Sequence, residues 1–225
     1  MKNISLIDED FMDFPIGEFP YDKNHSAMGE YHFIHYPGFY GRWYDPVCNY
    51  RYNGQGASWC IMEYNGRHYM EQMRLHNTEP HRTFPTLETG DRFWRDYDIE
   101  AGLRMFNTKW GSAGIGFCAQ NSLNLLACIF EDKKLKLVYR HKEDVEEIKS
   151  VDFDYNCDDT YNIKVSVKGS HVICSVDGST YIDVQTDYAL HGGKVAVTAT
   201  IPAAFGYVKV TVDEGGKIVS VADNG

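Results

Sequence analysis

The 225 residues predict an all-β protein built from two stacked antiparallel sheets with little helix. Three observations carry that expectation. Apolar residues alternate at period two through the C-terminal half, as in Ile163, Val165 and Val167 opposite Asn162, Lys164 and Ser166, which is the periodicity of a half-buried strand. The alternating runs are separated by Asp177-Gly178 and Gly192-Gly193, pairs suited to tight hairpin turns. No window has both helical period and helical length. Hydrophobic residues at 43% suffice for a core, and a single all-β domain commonly runs to about 200–250 residues. One domain over 1–225 is therefore expected, with an N-terminal arm and aromatic loops at 1–56, a main sandwich at 57–213 and a C-terminal end at 214–225.

Taken in chain order, 8–36 is irregular and aromatic, with Phe14-Pro15 and Phe19-Pro20 holding the backbone extended. Residues 36–56 are the richest aromatic stretch, interleaved with Gly38, Gly41, Gly54 and Gly56, a density that predicts loops rather than regular strand. Trp59 and Ile61 precede Asn65-Gly66, and Tyr69, Met70 and Met73 follow it, so a type I′ hairpin is expected. Residues 76–91 read as a loop with Pro80 and Pro85. From 93 to 106, Tyr97, Ile99, Ala101, Leu103 and Met105 share one face of a long strand. Gly111, Gly114 and Gly116 permit close approach, Glu131-Asp132-Lys133-Lys134 reads as a hairpin turn, and the charged 141–149 reads as a solvated hairpin. Val172 to Val176, Tyr181 to Val184, Val195 to Val197 and Val208 to Val212 complete the strands.

The succession Val176-Asp177-Gly178, Asp187, Leu190-His191-Gly192-Gly193 and Val208-Lys209-Val210 resembles the second half of concanavalin A-like (laminin-G-like) jelly rolls. Trp59, Asn65-Gly66 and Gln72 resemble the opening hairpin of the same sandwiches, and the strand from Tyr97 through Glu100-Ala101 resembles the one that begins their main repeat. Such domains occur as sugar-binding modules and accessory domains of bacterial carbohydrate-active enzymes. The resemblance also implies that the first segment wraps the edge and pairs near the C-terminal strand. It implies an Arg-Tyr pair before Gln120, where this chain has Cys118-Ala119.

The formal net charge of −10 disfavours phosphate backbones and anionic membrane surfaces and suits a neutral polyhydroxylated ligand. Exposed rings can stack on pyranose faces while Arg, Asn and Gln bind hydroxyls. Tyr40, Arg42, Trp43, Tyr44 and Arg51, with Trp110, Gln120 and Asn121 at a second loop tip, are the candidate carbohydrate ligands. The same rings can instead plug the end of the sandwich. The favoured function is a non-catalytic carbohydrate-binding or accessory domain of a bacterial glycan-processing system. A subunit-docking or oligomerisation domain of a larger enzyme, including a homo-oligomer, is one alternative. A glycoside hydrolase or lyase is another. Retaining hydrolysis needs carboxyls about 5–5.5 Å apart, and the candidates are Glu63 with Glu71 across the Asn65-Gly66 hairpin, and Asp98 with Glu100. The Glu-x-Asp-x-x-Glu strand of laminarinase-type members of the fold is absent.

No cofactor or metal is expected. Asp152, Asp154, Asp158 and Asp159 lack a calcium-loop pattern and read as a solvated turn rather than a structural calcium site. Six cysteines show no metal spacing and read as free thiols in a reducing cytosol. Cys118 and Cys128 flank one hairpin, and a bridge there requires suitable cross-strand geometry. The N-terminus, with Asp8, Glu9 and Asp10 and no apolar stretch, does not read as a signal peptide. The chain as written is expected in the cytoplasm, or outside the cell if it is a domain of a longer protein.

Overall fold

The computed structural model describes residues 3–18, 27–28, 34–35, 38–45, 59–73, 85–106, 111–142, 144–157 and 159–213, with backbone alone at 3, 18, 27–28, 34–35 and 38–40. The first strands are β1 (Asn3–Glu9), β2 (Gly17–Glu18), β3 (Ala27–Met28), β4 (Ile34–His35), β5 (Gly38–Tyr40) and β6 (Trp43–Asp45). Then come β7 (Trp59–Tyr64), β8 (Arg67–Gln72), β9 (Thr86–Thr89), β10 (Tyr97–Met105), β11 (Ala113–Asn121) and β12 (Asn124–Glu131). The remainder are β13 (Lys134–His141), β14 (Asp144–Asp152), β15 (Thr160–Lys168), β16 (His171–Val176), β17 (Ser179–Gln185), β18 (Lys194–Ala199) and β19 (Ala203–Asp213). Among the described residues the one helical element is a 3-10 turn, Asp187–His191.

Sheet A has the order β17-β16-β15-β10-β19-β8-β7-β2, and β1 pairs with β19 beside it. Sheet B has the order β14-β13-β12-β11-β18-β9-β6-β5. Every described pairing is antiparallel. β19 is long enough to serve two partners on one side. Its start pairs with β8 and its end with β1, so the first segment does lie along the C-terminal strand.

Alternation decides which side chains enter the core. Ile99, Ala101 and Leu103 of β10 and Ile163, Val165 and Val167 of β15 face inward from sheet A, and Ile115, Cys128 and Leu137 meet them from sheet B. Hairpin turns follow the expected chemistry, because both central residues of a type I′ turn need positive φ. Asn65 and Gly66 take φ 52° and 73°, and Asp177 and Gly178 take 49° and 79°. At one end of the sandwich Phe130 gathers Phe153, Tyr155 and Tyr161, with ring centroids 5.2, 5.3 and 5.4 Å away. Trp59 is buried against Phe205 at 6.1 Å, whereas Trp94 is only half-buried.

Several expectations need correction. The aromatic stretch at 36–56 contributes a hairpin, β5 and β6, to the edge of sheet B rather than loops alone. The 76–91 segment yields β9, a strand whose four residues are all buried. Its threonines are β-branched and suit a pleated surface, a signal obscured by the flanking prolines. Residues 144–152 are a full strand rather than a charged hairpin. Among the described strands β14 pairs with β13 alone, at the sheet edge, where charged side chains remain in water and discourage further pairing.

Cys60, Cys118, Cys128 and Cys174 are buried and Cys157 is exposed, none of them in a disulfide. Cys128 sits opposite Ile115, not Cys118. A bulge between Phe117 and Asn121 puts Cys118 in the left-handed region at φ 50°, and its amide donates to the Tyr97 hydroxyl at 2.8 Å. Burial pushes the Cys118 thiol up to about 12, so it stays protonated. Among the described residues no helix is long and apolar enough to cross a membrane, and no group of three or more His, Cys, Asp or Glu is placed to hold a metal.

Candidate functional site

The residues expected to bind sugar are dispersed by the fold. Trp43 is fully buried, a correction with a simple cause. On the short edge strand β6, Trp43 and Asp45 point inward and only Tyr44 points out. Phe11 packs on the Trp43 ring at 5.8 Å, and its indole N–H donates to Glu9 Oε2 at 3.3 Å. Trp43 is therefore a core plug and offers no face to a ligand. Arg42 is exposed at the β5–β6 turn, and Tyr44 is half-buried on the outer face of sheet B. There Lys194 Nζ lies 5.8 Å from the Tyr44 ring centroid and 3.0 Å from the buried Glu88, two neighbours that the sequence did not single out.

Gln120 and Asn121 serve the backbone. Gln120 Nε2 donates to the Gly192 carbonyl at 2.9 Å. Asn121 Oδ1 accepts from the Leu123 amide at 3.0 Å and from Asn124 Nδ2 at 2.8 Å, closing the β11–β12 turn. Tyr40 is described by its backbone in β5 alone, and Arg51 and Trp110 lie outside the described residues.

The four candidate acids divide between two faces. Register pairs Glu63 with His68 but Glu71 with Cys60, so Glu63 and Glu71 project from opposite sides of the hairpin and are not a dyad. Glu71, Asp98 and Glu100 all lie on the outer face of sheet A, each engaged. The Tyr64 hydroxyl donates to Glu71 Oε2 at 2.7 Å. Asp98 accepts from Ser166 Oγ at 2.6 Å and pairs with Lys164 at 2.8 Å. The Tyr207 hydroxyl lies 2.6 Å from Glu100 and 2.9 Å from Asn162 Oδ1. Because Tyr207 pairs with Gly102 and Gly102 with Asn162, reaching Asn162 lays its ring across the bare backbone at Gly102. A Cβ there would sit 2.7 Å from the ring.

Burial raises the Glu71 carboxyl, opposed by the Tyr64 hydrogen bond and the Arg104 charge. Burial, then the bond to Glu71, pushes Tyr64 up to about 12. A carboxyl whose folded pKa is raised holds its proton more tightly when folded. Its stabilising contribution is complete below the unfolded value and is lost as pH rises through the folded one. Tyr64→Phe removes a donor that favours the carboxylate, so the Glu71 midpoint should move further up. A carboxyl 13C NMR titration reads it, and an unmoved midpoint would refute the coupling.

A cleft of about 430 Å3 opens at the sandwich edge and is lined by Tyr139, His141, Asp144, Glu146 and Tyr188. Its geometry follows from strand register. The inward alternation of Leu135 and Leu137 on β13 continues into Tyr139, which packs against the core. β14 sets Glu146 opposite Tyr139 and Asp144 opposite His141. Here the apolar alternation of β13 gives way to acids on β14.

Tyr188 arrives from the 3-10 turn that crosses between the sheets, and its ring stacks on Tyr139 with centroids 3.9 Å apart and planes 12° from parallel. Its hydroxyl donates to Glu146 Oε2 at 2.9 Å, which raises the phenol above its ordinary value. His141 stacks with Tyr139 at 6.1 Å.

The turn is clamped from several sides. The Gly193 amide donates to Trp94 O at 2.9 Å, Gln120 holds Gly192, Arg95 donates to the Leu190 carbonyl, and Ala189 is buried. Two half-buried rings with acids and an imidazole around them match the mixture of apolar wall and few polar anchors that small-ligand sites use.

No protein-family model matches the chain, and no curated protein matches it. Solved structures do. The GH43 protein BlXynB from Bacillus licheniformis superposes with a TM-score of 0.59 at 15% identity, over 85% of this chain and 40% of that one. A prokaryotic beta-1,3-1,4-glucanase (lichenase) from a mouse hindgut metagenome gives 0.54 at 12% identity, over 76% and 94%. The chain is a concanavalin A-like jelly roll. A xylan beta-1,4-xylosidase from Bacillus halodurans C-125 carries the same jelly roll at a TM-score of 0.54 and 12% identity, over 88% of this chain and 41% of that one. The chain thus spans about two fifths of BlXynB and of the xylosidase.

Proposed function

We propose that this jelly roll is a non-catalytic carbohydrate-binding or accessory domain of a bacterial glycan-processing system. The observation that carries the reading is the edge cleft, where the stacked Tyr139 and Tyr188 offer ring surface beside Asp144, Glu146 and His141. Pyranose rings present C–H faces for stacking and hydroxyls for acceptors. Two further facts agree with it. The match to BlXynB covers a minor part of that protein, as an accessory domain would. Glu71, Asp98 and Glu100 are each spent on a neighbouring tyrosine, serine or lysine.

Isothermal calorimetry against a panel of oligosaccharides tests the proposal. Tyr188→Ala should weaken the glycan that binds best by about tenfold, since ring stacking and the lost apolar area together approach about 1.4 kcal/mol. An affinity unchanged in Tyr188→Ala would remove the cleft from the function.

A second reading, a glycoside hydrolase, is favoured by Glu71, buried with a raised carboxyl on the same face as Glu100. It requires reducing-sugar release from a polysaccharide that Glu71→Gln abolishes, and absence of release from the unaltered protein would end it.

A further inference from the structure

The charges around the cleft point to one kind of saccharide. Among the described residues, the five that line it include two carboxylates and neither Lys nor Arg. Asp144 and Glu146 alternate on β14, so they project to the same side with Cα atoms about 7 Å apart. That separation lets both carboxylates reach a single small cation placed between them.

Their hydrogen-bonding capacity is largely unspent. Tyr188 occupies Oε2 of Glu146, but a carboxylate accepts at about four lone-pair sites, and Oε1 remains. The Asp144 carboxylate has no hydrogen bond or ion pair among the described residues. Beside both acids lies the Tyr188 ring, stacked on Tyr139. Its π-face, negative at the centre, attracts cations within about 6 Å. A neutral sugar would leave this negative field unanswered, and a uronic acid would be repelled by it.

We propose that the cleft selects saccharides bearing a protonated amine, a 2-amino-2-deoxy sugar residue whose ammonium sits between Asp144 and Glu146 while its ring rests on Tyr188. This rests on the carbohydrate-binding reading of the same cleft and adds the ligand class. N-acetylation is the natural discriminator, because it removes the charge and adds bulk at the same carbon.

Three β-1,4-linked oligomers of equal length separate the possibilities, since they differ only at C2: glucosamine, N-acetylglucosamine and glucose. Calorimetry at low salt should find the glucosamine oligomer at least about tenfold tighter than the other two, two partly screened ion pairs acting together. Raising the salt to several hundred millimolar should erase most of that preference, because the Debye length falls toward about 3 Å near 1 M. Asp144→Asn and Glu146→Gln should each narrow the ratio between the affinities for the glucosamine and glucose oligomers. Circular dichroism of both variants confirms that they fold.

Equal binding of all three oligomers, abolished in Tyr188→Ala, would overturn amine selection and leave the carbohydrate-binding reading standing. Equal binding of 1,5-diaminopentane and the glucosamine oligomer would overturn the saccharide part of the proposal. Binding of none of the oligomers, nor of any glycan in the wider panel, would overturn both.

Discussion

Phe130→Ala is expected to lower the unfolding free energy by about 3–5 kcal/mol. Phe130 is fully buried on β12 and touches three rings contributed by the chain on either side of Asn156: Phe153, Tyr155 and Tyr161. Those rings are themselves fixed. The Tyr155 hydroxyl accepts from the Lys133 amide at 3.3 Å, and the Tyr161 hydroxyl accepts from the Asn156 amide at 2.9 Å. A cluster anchored by backbone bonds collapses poorly into a void, so the cavity term adds nearly in full to the lost transfer energy. Phe130→Leu keeps most of the volume and should cost about 1.5 kcal/mol or less. Urea unfolding followed by tyrosine fluorescence checks both, and a Phe130→Ala loss under about 1 kcal/mol would contradict the packing described. For a domain whose total stability is about 5–15 kcal/mol, this one truncation is severe.

The second large effect lies in the backbone. Gly193 leads into β18 at φ +140°, a region that side-chain-bearing residues essentially never occupy. A Cβ there would lie 2.6 Å from the amide nitrogen and the carbonyl oxygen of Ala119. Those are ladder atoms of β11 and cannot swing aside as a side-chain tip would. Gly193→Ala should therefore cost about 3 kcal/mol or more. The loss should reach the cleft as well, because the neighbouring Gly192 is the point at which Gln120 holds the turn bearing Tyr188. Gly178→Ala is the control. It also has positive φ, at 79°, but a Cβ there meets nothing within 4 Å, so the cost should stay near about 1–2 kcal/mol. Equal urea midpoints for the two variants would show that steric contact at Gly193 is not the cause.

How far the sequence reached can be judged residue by residue. Alternation on β10, β15 and β16 was sufficient to place Ile99, Val165 and Cys174 in the core, because a strand has only two faces and one of them is apolar. Asn65-Gly66 and Asp177-Gly178 were legible as hairpins because few other residues tolerate the required φ. Trp43 was misread. A ring in a Gly-rich run looks exposed, and only the arrival of Phe11 and Glu9 from a distant segment shows that it is covered. Gln120 and Asn121 look like loop-tip ligands by residue type. Their partners, Gly192 and the Leu123 amide, are what turn them into braces. The stacked pair Tyr139 and Tyr188 could not be seen, since 49 positions separate them and neither belongs to a motif.

By itself, then, the chain's pattern determined an all-β sandwich, its main hairpins and most of its interior. Those properties follow from local periodicity and turn chemistry, which are written into neighbouring residues. Which rings are buried, which acids share a face and where the cleft lies were decided by register and by the crossing from β17 to β18. These depend on segments that meet only after folding, and no local pattern encodes which of them will meet.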